Sequence, residues 1–260
     1  MSSKIEQNGP SKVQSIDRAI SILKTLSNFS SLSLNDLSEQ VKLHKATTHR
    51  LVQSLVENGF VEQLQDTKQY RISLKMFELG NKRVQNIDFV NVAKSNIRQL
   101  SQDINEIIHL VIEDNDEVLY IDKYGTDQDE AKMRSKIGHK APLYCTAVGK
   151  AILATRSQQE VEAYWEQVTP DRKTEKTITD FDQLMLELAA VREQGYALDD
   201  EEFEYGVVCV GAVFSSYKET AAGALSISLP ITKKPEIAFY IDKAMECSKR
   251  ITQMLGGKVN

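Results

Sequence analysis

Five neighbouring residues have the chemistry to meet a nucleic acid: Lys45, Thr47, Thr48, His49 and Arg50, in the run KATTHR. Lysine and arginine neutralise phosphates, and arginine can also grip a guanine edge with two parallel N–H bonds. Threonine and histidine donate to or accept from phosphates and base edges. The competing reading is a solvated helix face with no partner, and the setting of the run decides between them.

The setting is helical. Leu34, Leu37 and Val41 recur at helical spacing before the run, and Leu51, Val52, Leu55 and Val56 follow it. A turn at 42–44 separates the two stripes, and Ser33 with Asp36 forms a capping box for the first. An earlier stripe, Ile16, Ala19, Ile20, Leu23 and Leu26, predicts a helix over 15–28. Asn58-Gly59 suits a left-handed helix stop. Segments 60–64 and 69–72 then flank a turn, which predicts a hairpin. Three helices and a hairpin make a winged helix-turn-helix over 13–73. Gln63, Lys68 and Arg71 on its wing are placed to approach a phosphate backbone. Residues 1–12 are polar, contain Gly9-Pro10, and read as a disordered tail.

A second group of residues suits a small ligand. A helix from about Ala147 to Thr155 offers unpaired backbone N–H groups, which favour a carboxylate or phosphate. Asp199 and Asp200, read as part of an acidic loop over 199–204, can accept from ligand hydroxyls. Ser226 and Ser228 alternate with Leu225, Ile227 and Leu229, so they share one face of a strand. A cavity wall and a solvated strand face both account for that alternation.

Around these positions the period changes repeatedly. A helical pattern from Leu74 reads as a linker helix, 74–88. Val90, Ala93, Ile97, Leu100 and Ile104 form a heptad-like seam. That seam fits a helix packed on its own domain or a dimer contact. Strands are expected at 107–113, 117–125, near 131–137, at 195–198, 207–214 and 221–229, with a loop at 138–142. Helices are expected at 158–168, 181–194 and 237–255. Strand pairs interleaved with helices, outside a regular βαβ alternation, predict an α+β domain over 89–260 with a mainly antiparallel sheet.

Composition excludes several classes. The 260 residues carry a net charge of −5, but unevenly: through Arg83 there are twelve Lys/Arg against eight Asp/Glu, or +4, and the remainder has −9. A polyanion is therefore expected at the N-terminal part only. Three widely spaced cysteines fit free thiols in a reducing, cytoplasmic setting. No apolar run reaches membrane-spanning length, and there is no signal-peptide core. The histidines and cysteines lack metal-ligand spacing, so neither metal nor cofactor is expected. No phosphate-binding glycine loop or nucleophile elbow is present. Cys145 or Cys209 with His139 could be drawn as a thiol–base pair, but buried cysteines usually act as small hydrophobes.

The chain resembles the IclR family of bacterial transcriptional regulators over nearly its full length. The motifs are the helix-turn-helix, YRISLKMFELG (70–80), PLYCTAVGKAILA (142–154), REQGYALDDEEFEYGVVCVGAVF (192–214) and GALSISLP (223–230). IIHLVIED, MRSKIGHKAPLYCTAVGK and RKTEKTIT resemble its ketodeoxygluconate-repressor subgroup. The resemblance implies a winged helix, a linker helix and an effector-binding domain with a curved sheet and flanking helices. It implies a homodimer or tetramer on palindromic operator DNA and a small organic acid effector, such as the sugar acid 2-keto-3-deoxygluconate. Family effector positions fall on Ala147, Val148, Asp199, Cys209, Ser226 and Ser228. Arg134, His139 and Lys140, just before that helix, are further cations that could hold a sugar acid. The expected function is repression of a sugar-acid operon. An activator, or a small-acid-converting enzyme, is the alternative.

Overall fold

The computed structural model describes residues 13–85, 89–125, 136–218 and 221–258. Contacts divide the chain into two compact units, Met1–Asn86 and Ile87–Asn260. The expected tail, 1–12, lies outside the described residues.

In the first unit α1 (Gln14–Leu26), α2 (Leu34–Gln40) and α3 (Lys45–Glu57) precede two short antiparallel strands. These are β1 (Val61–Gln63) and β2 (Tyr70–Ile72). The Ser33 hydroxyl caps α2, accepting from the Asp36 amide at 3.3 Å. The Asp36 carboxylate accepts from that same hydroxyl at 2.7 Å, not from the backbone amide a full capping box would use. Lys42, at φ 53°, turns the chain between α2 and α3. Ile22, Leu26, Leu37, Val52, Val61 and Tyr70 close a small core. Leu32 pairs with Tyr70 through two backbone bonds of 2.9 and 2.8 Å, tying the wing to the α1–α2 connection. Helix α4 (Lys75–Gln85) follows.

The second unit opens with α5 (Val90–Ile104), then β3 (Ile107–Glu113), β4 (Glu117–Tyr124) and β5 (Lys140–Pro142). Next come α6 (Ala147–Leu153), α7 (Gln158–Gln167) and α8 (Phe181–Gln194). Strands β6 (Ala197–Asp200), β7 (Val207–Phe214) and β8 (Gly223–Pro230) precede the final helix, α9 (Ile237–Met254). The strands form one curved antiparallel sheet in the order β5-β4-β3-β8-β7-β6. The architecture is α+β, as expected. Helix α6 packs over one sheet face, while α5 and α9 pack against β3, β7 and β8. Strand β8 is buried on both faces, so GALSISLP reads as a nearly unbroken apolar run. No helix among the described residues is long and apolar enough to cross a membrane.

Local chemistry sets several boundaries. Thr146, Ser157 and Asp180 cap α6, α7 and α8 with their side-chain oxygens, and Gly195 ends α8 in the left-handed conformation. The seam residues Val90, Ala93, Ile97 and Leu100 are buried within their own unit, where α5 lies on β3 and α9. Intramolecular packing therefore accounts for the heptad-like spacing.

Two strand expectations need correction. Of the strand placed near 131–137, residues 131–135 lie outside the described residues, and Ile137 sits in a turn. The edge strand is instead Lys140–Pro142, within the segment expected to be a loop. Three residues ending in proline carry no period, and an edge tolerates proline because one of its sides needs no ladder bond. The acidic loop also starts later than expected. Asp199 and Asp200 lie on β6, paired with Cys209 and Val208. Aspartate is depleted in strands, which is why sequence alone places it in a loop.

Candidate functional site

The first unit presents one candidate surface. His44, Lys45, His49 and Arg50 are exposed at the start of α3, and Thr47 is half-buried. Thr48 does not join them. It is fully buried, and its hydroxyl donates to the His44 carbonyl at 3.3 Å. Its place four residues before Val52 puts it on the core stripe. Ala46, His49, Arg50 and Gln53, spaced three, four and seven apart, share the exposed face. Gln53 was missed by the sequence reading, although that spacing could have found it. On the wing, Lys68 is exposed with φ 58°, and its carbonyl accepts from the Gln63 side-chain Nε2 at 2.9 Å. Arg71 is exposed but pairs with Glu62 across the hairpin at 2.5 Å. A phosphate would have to displace that carboxylate.

The second unit holds a small cavity of about 30 Å³. All six predicted positions line it: Ala147, Val148, Asp199, Cys209, Ser226 and Ser228. Strand register explains the convergence. Asp199 pairs with Cys209 and Cys209 with Ser228, while Gly211 pairs with Ser226 and Ser226 with His109. Directly paired residues project from the same sheet face, so these two rows form one wall. The start of α6 forms the other wall.

Two glycines make room for the start of α6. A methyl group on Gly211 would lie 2.5–2.7 Å from the Ala147 and Val148 backbone atoms. One on Gly149 would lie 2.3–2.5 Å from Leu143 backbone and the Thr146 hydroxyl. Gly211→Ala is therefore expected to push α6 off the sheet and destabilise the protein by roughly 1–3 kcal/mol, read by thermal melting. An unchanged melting temperature would mean that α6 does not bear on Gly211.

The polar groups are well ordered. The Thr146 hydroxyl accepts from the Gly149 amide at 3.2 Å and donates to the Pro142 carbonyl at 2.8 Å. No intramolecular acceptor engages the amides of Ala147 and Val148 among the described residues. Asp199 Oδ1 accepts from the Glu202 and Phe203 amides at 2.7 and 3.2 Å, holding the segment that lines the cavity through Phe203 and Glu204. Burial, reinforced by the Glu202 carboxylate, pushes Asp199 up to about 7. Near neutral pH its carboxyl thus exists both as acceptor and as donor.

Several residues of the cavity were not anticipated. Tyr120, Thr146, Phe203, Glu204 and Val207 complete the lining. His109 lies beside it on β3, with Nδ1 within 3.4 Å of both serine hydroxyls and its ring edge-on to Tyr120. The Cys209 thiol meets the Ser228 hydroxyl at 3.2 Å. Burial raises the pKa of Cys209 and pushes that of Cys145 up to about 12, so both stay thiols. A thiol is a poor nucleophile, which argues against the thiol–base reading.

Three further expectations do not meet the cavity. Asp200, alternating with Asp199, is held by Lys234 at 2.7 Å and Lys176 at 3.1 Å. Partial burial would raise its pKa, but these two cations outweigh it and lower it. Lys140 pairs with Asp114 at 2.7 Å and Glu117 at 3.3 Å, and His139 is exposed. Neither of them lines the cavity. Arg134 lies outside the described residues.

Comparison with known proteins agrees with this division. The IclR helix-turn-helix domain matches residues 15–65, and the bacterial transcriptional regulator IclR C-terminal domain matches 81–253. The transcriptional regulator KdgR of Escherichia coli is 36% identical over 250 residues, covering 95% of this chain and 94% of that protein. KdgR of Dickeya chrysanthemi is 37% identical over 228 residues, covering 87% of this chain and 74% of its own length. The crystal structure of the Thermotoga maritima IclR superposes with a TM-score of 0.80 at 30% identity, covering 94% of this chain and all of that one. These relatives are regulators and not enzymes. The chain belongs to the IclR family of DNA-binding transcriptional regulators.

Proposed function

We propose that the chain is a cytoplasmic repressor that a small organic acid releases from palindromic operator DNA. The convergence of Ala147, Val148, Asp199, Cys209, Ser226 and Ser228 on one cavity supports this reading most strongly. The α6 amides and the two serines supply donors for a carboxylate, and Asp199 supplies a partner for a hydroxyl. The resemblance to ketodeoxygluconate repressors makes 2-keto-3-deoxygluconate the first effector to test, and a sugar-acid catabolic operon the target. Two copies of the chain, as a homodimer or within a tetramer, would set two α3 helices into successive major grooves. The effector would act by changing their spacing, because half-sites demand a fixed helix-to-helix distance.

Sugar acids screened by thermal shift test the cavity. 2-Keto-3-deoxygluconate is expected to raise the melting temperature of the wild type and to leave Asp199→Ala/Ser226→Ala unmoved. An equal shift in both would place the ligand elsewhere.

The DNA face makes a separate prediction. Lys45, Thr47, His49, Arg50 and Lys68 are the proposed contacts, with Arg71 joining if it leaves Glu62. Arg50→Ala is expected to weaken operator binding by about 1–3 kcal/mol and to relax base preference at one position per half-site. Lys45→Ala should weaken all sequences alike and flatten the salt dependence by about one ion per copy. Fluorescence anisotropy across a salt series reads both effects. Operator affinity unchanged in both variants would refute the assignment of α3.

A further inference from the structure

His109 is almost fully buried on β3, 1% exposed, at the edge of the cavity. Its Nδ1 lies 3.4 Å from the Ser226 hydroxyl and 3.3 Å from that of Ser228. Ser228 in turn meets the Cys209 thiol. Four heteroatoms therefore form one strip along the wall: Cys209, Ser228, His109 and Ser226. Burial and the nearby Lys123 charge push His109 down to about 3, so the ring is neutral under all working conditions.

A neutral imidazole has one N–H and one bare nitrogen. The placement of its proton sets the polarity of the wall. A bare Nδ1 has one lone pair, so it accepts from one serine, turns that proton inward and leaves only the other serine able to donate to the cavity. A proton on Nδ1 points between the two oxygens, which accept it and turn their own protons outward. The first wall offers one serine donor and the second offers two. An ionised carboxylate is an acceptor only, so the second, with two donors, suits it better.

We infer that His109 is the specificity-determining residue of this cavity: with its proton on Nδ1, it makes donors of Ser226 and Ser228 for a bound carboxylate. The inference rests on the carboxylate reading of the cavity. It adds that a side chain outside the cavity lining decides between an anion and a neutral ligand. The imidazole acts through the two serines and is a positioning residue.

The test uses the full-length protein labelled with ¹⁵N-histidine. The chain holds four histidines, and His109→Asn identifies the signal of this one. With 2-keto-3-deoxygluconate bound, the ¹⁵N–¹H correlation pattern is expected to be that of the Nδ1–H tautomer. The Nε2–H pattern in the liganded protein would overturn the proposal. Affinities for the acid and for its uncharged primary amide provide the second readout. His109→Leu is expected to weaken the acid by about tenfold and the amide by less than about threefold. His109→Asn, whose amide N–H can stand where Nδ1–H stood, is expected to bind the acid within about threefold of wild type. Equal losses for acid and amide would show a merely structural role and overturn the proposal. Acid binding to the wild type, with no discrimination lost in His109→Leu, would overturn it while sparing the cavity. Wild-type protein that binds neither probe would overturn the carboxylate reading and this inference together.

Discussion

Lys150→Ala is expected to lower the stability of the second unit by about 3–5 kcal/mol. Lys150 lies on α6 with its side chain 1% exposed, 2.5 Å from Glu202 and 2.8 Å from Glu187. Burial opposes its charge, but the two carboxylates outweigh burial and hold its pKa above the usual lysine range. Removing the ammonium leaves Glu202, itself nearly buried, against a second carboxylate with no cation between them. Breaking a buried pair from one side costs far more than replacing the whole pair, because an uncompensated charge remains. The melting temperature should fall by roughly 10 °C. Lys150→Met/Glu202→Gln should recover about half of the loss, since it removes one of the stranded charges. A fall of only a degree or two in Lys150→Ala would mean that water reaches this cluster. The loss should reach the cavity as well, because the Glu202 amide is one of the two held by Asp199.

Asp199→Asn is expected to stabilise the free protein above neutral pH while altering its response to acid. Asp199 is 4% exposed, and burial with the Glu202 charge raises it to about 7 from its ordinary 3.8. The folded state therefore keeps a proton that the unfolded chain releases. Folding stability falls as pH rises from about 4 to about 7 and is then level, by an amount on the order of 4 kcal/mol from this group alone. Asparagine presents an uncharged oxygen to the same two amides and removes that term. The variant and wild type should melt together near pH 4 and separate by roughly 2–4 kcal/mol at pH 8, the variant being the more stable. Ligand binding adds a second signature. An anion beside Asp199 favours its protonated form, so wild-type affinity for an acid should fall between pH 6 and pH 8. In Asp199→Asn that slope should vanish. Equal melting temperatures at pH 8, or a slope that survives in the variant, would mean that Asp199 is ionised throughout. The charge at Asp199 lowers stability at a position proposed to bind ligand, as is common in binding sites.

How far the sequence could be read depended on whether a residue's partners were local. The α8 helix was legible because its apolar spacing and the closing Gly195 lie within fifteen consecutive residues, 181–195. The alternation of Ser226 and Ser228 showed that they share a face, but not that the face lines a cavity. That depended on β7 and β8 pairing Cys209 with Ser228 and Gly211 with Ser226. His109 carried no signal, because its importance comes from a strand more than a hundred residues away. The burial of Lys150 has no local signal, since its two carboxylate partners are 37 and 52 residues distant. Thr48 was misread for another reason. Its hydroxyl suggested a DNA contact, while its spacing to Val52 already pointed it at the core. Lys140 and His139 stood close in sequence to the helix at Ala147, yet β4 draws Lys140 to Asp114 and Glu117 instead.

A ligand in this cavity is proposed to control DNA binding, and coupling between two sites is reciprocal. The most direct measurement is operator affinity of the full-length protein, by fluorescence anisotropy on its own promoter region, with and without saturating 2-keto-3-deoxygluconate. Operator affinity is expected to fall by roughly 5–150-fold in the wild type. In Asp199→Ala/Ser226→Ala it should be unchanged by the acid, while affinity without acid stays at the wild-type level. The same fall in the double variant would contradict the account, because the acid would then act from somewhere other than this cavity.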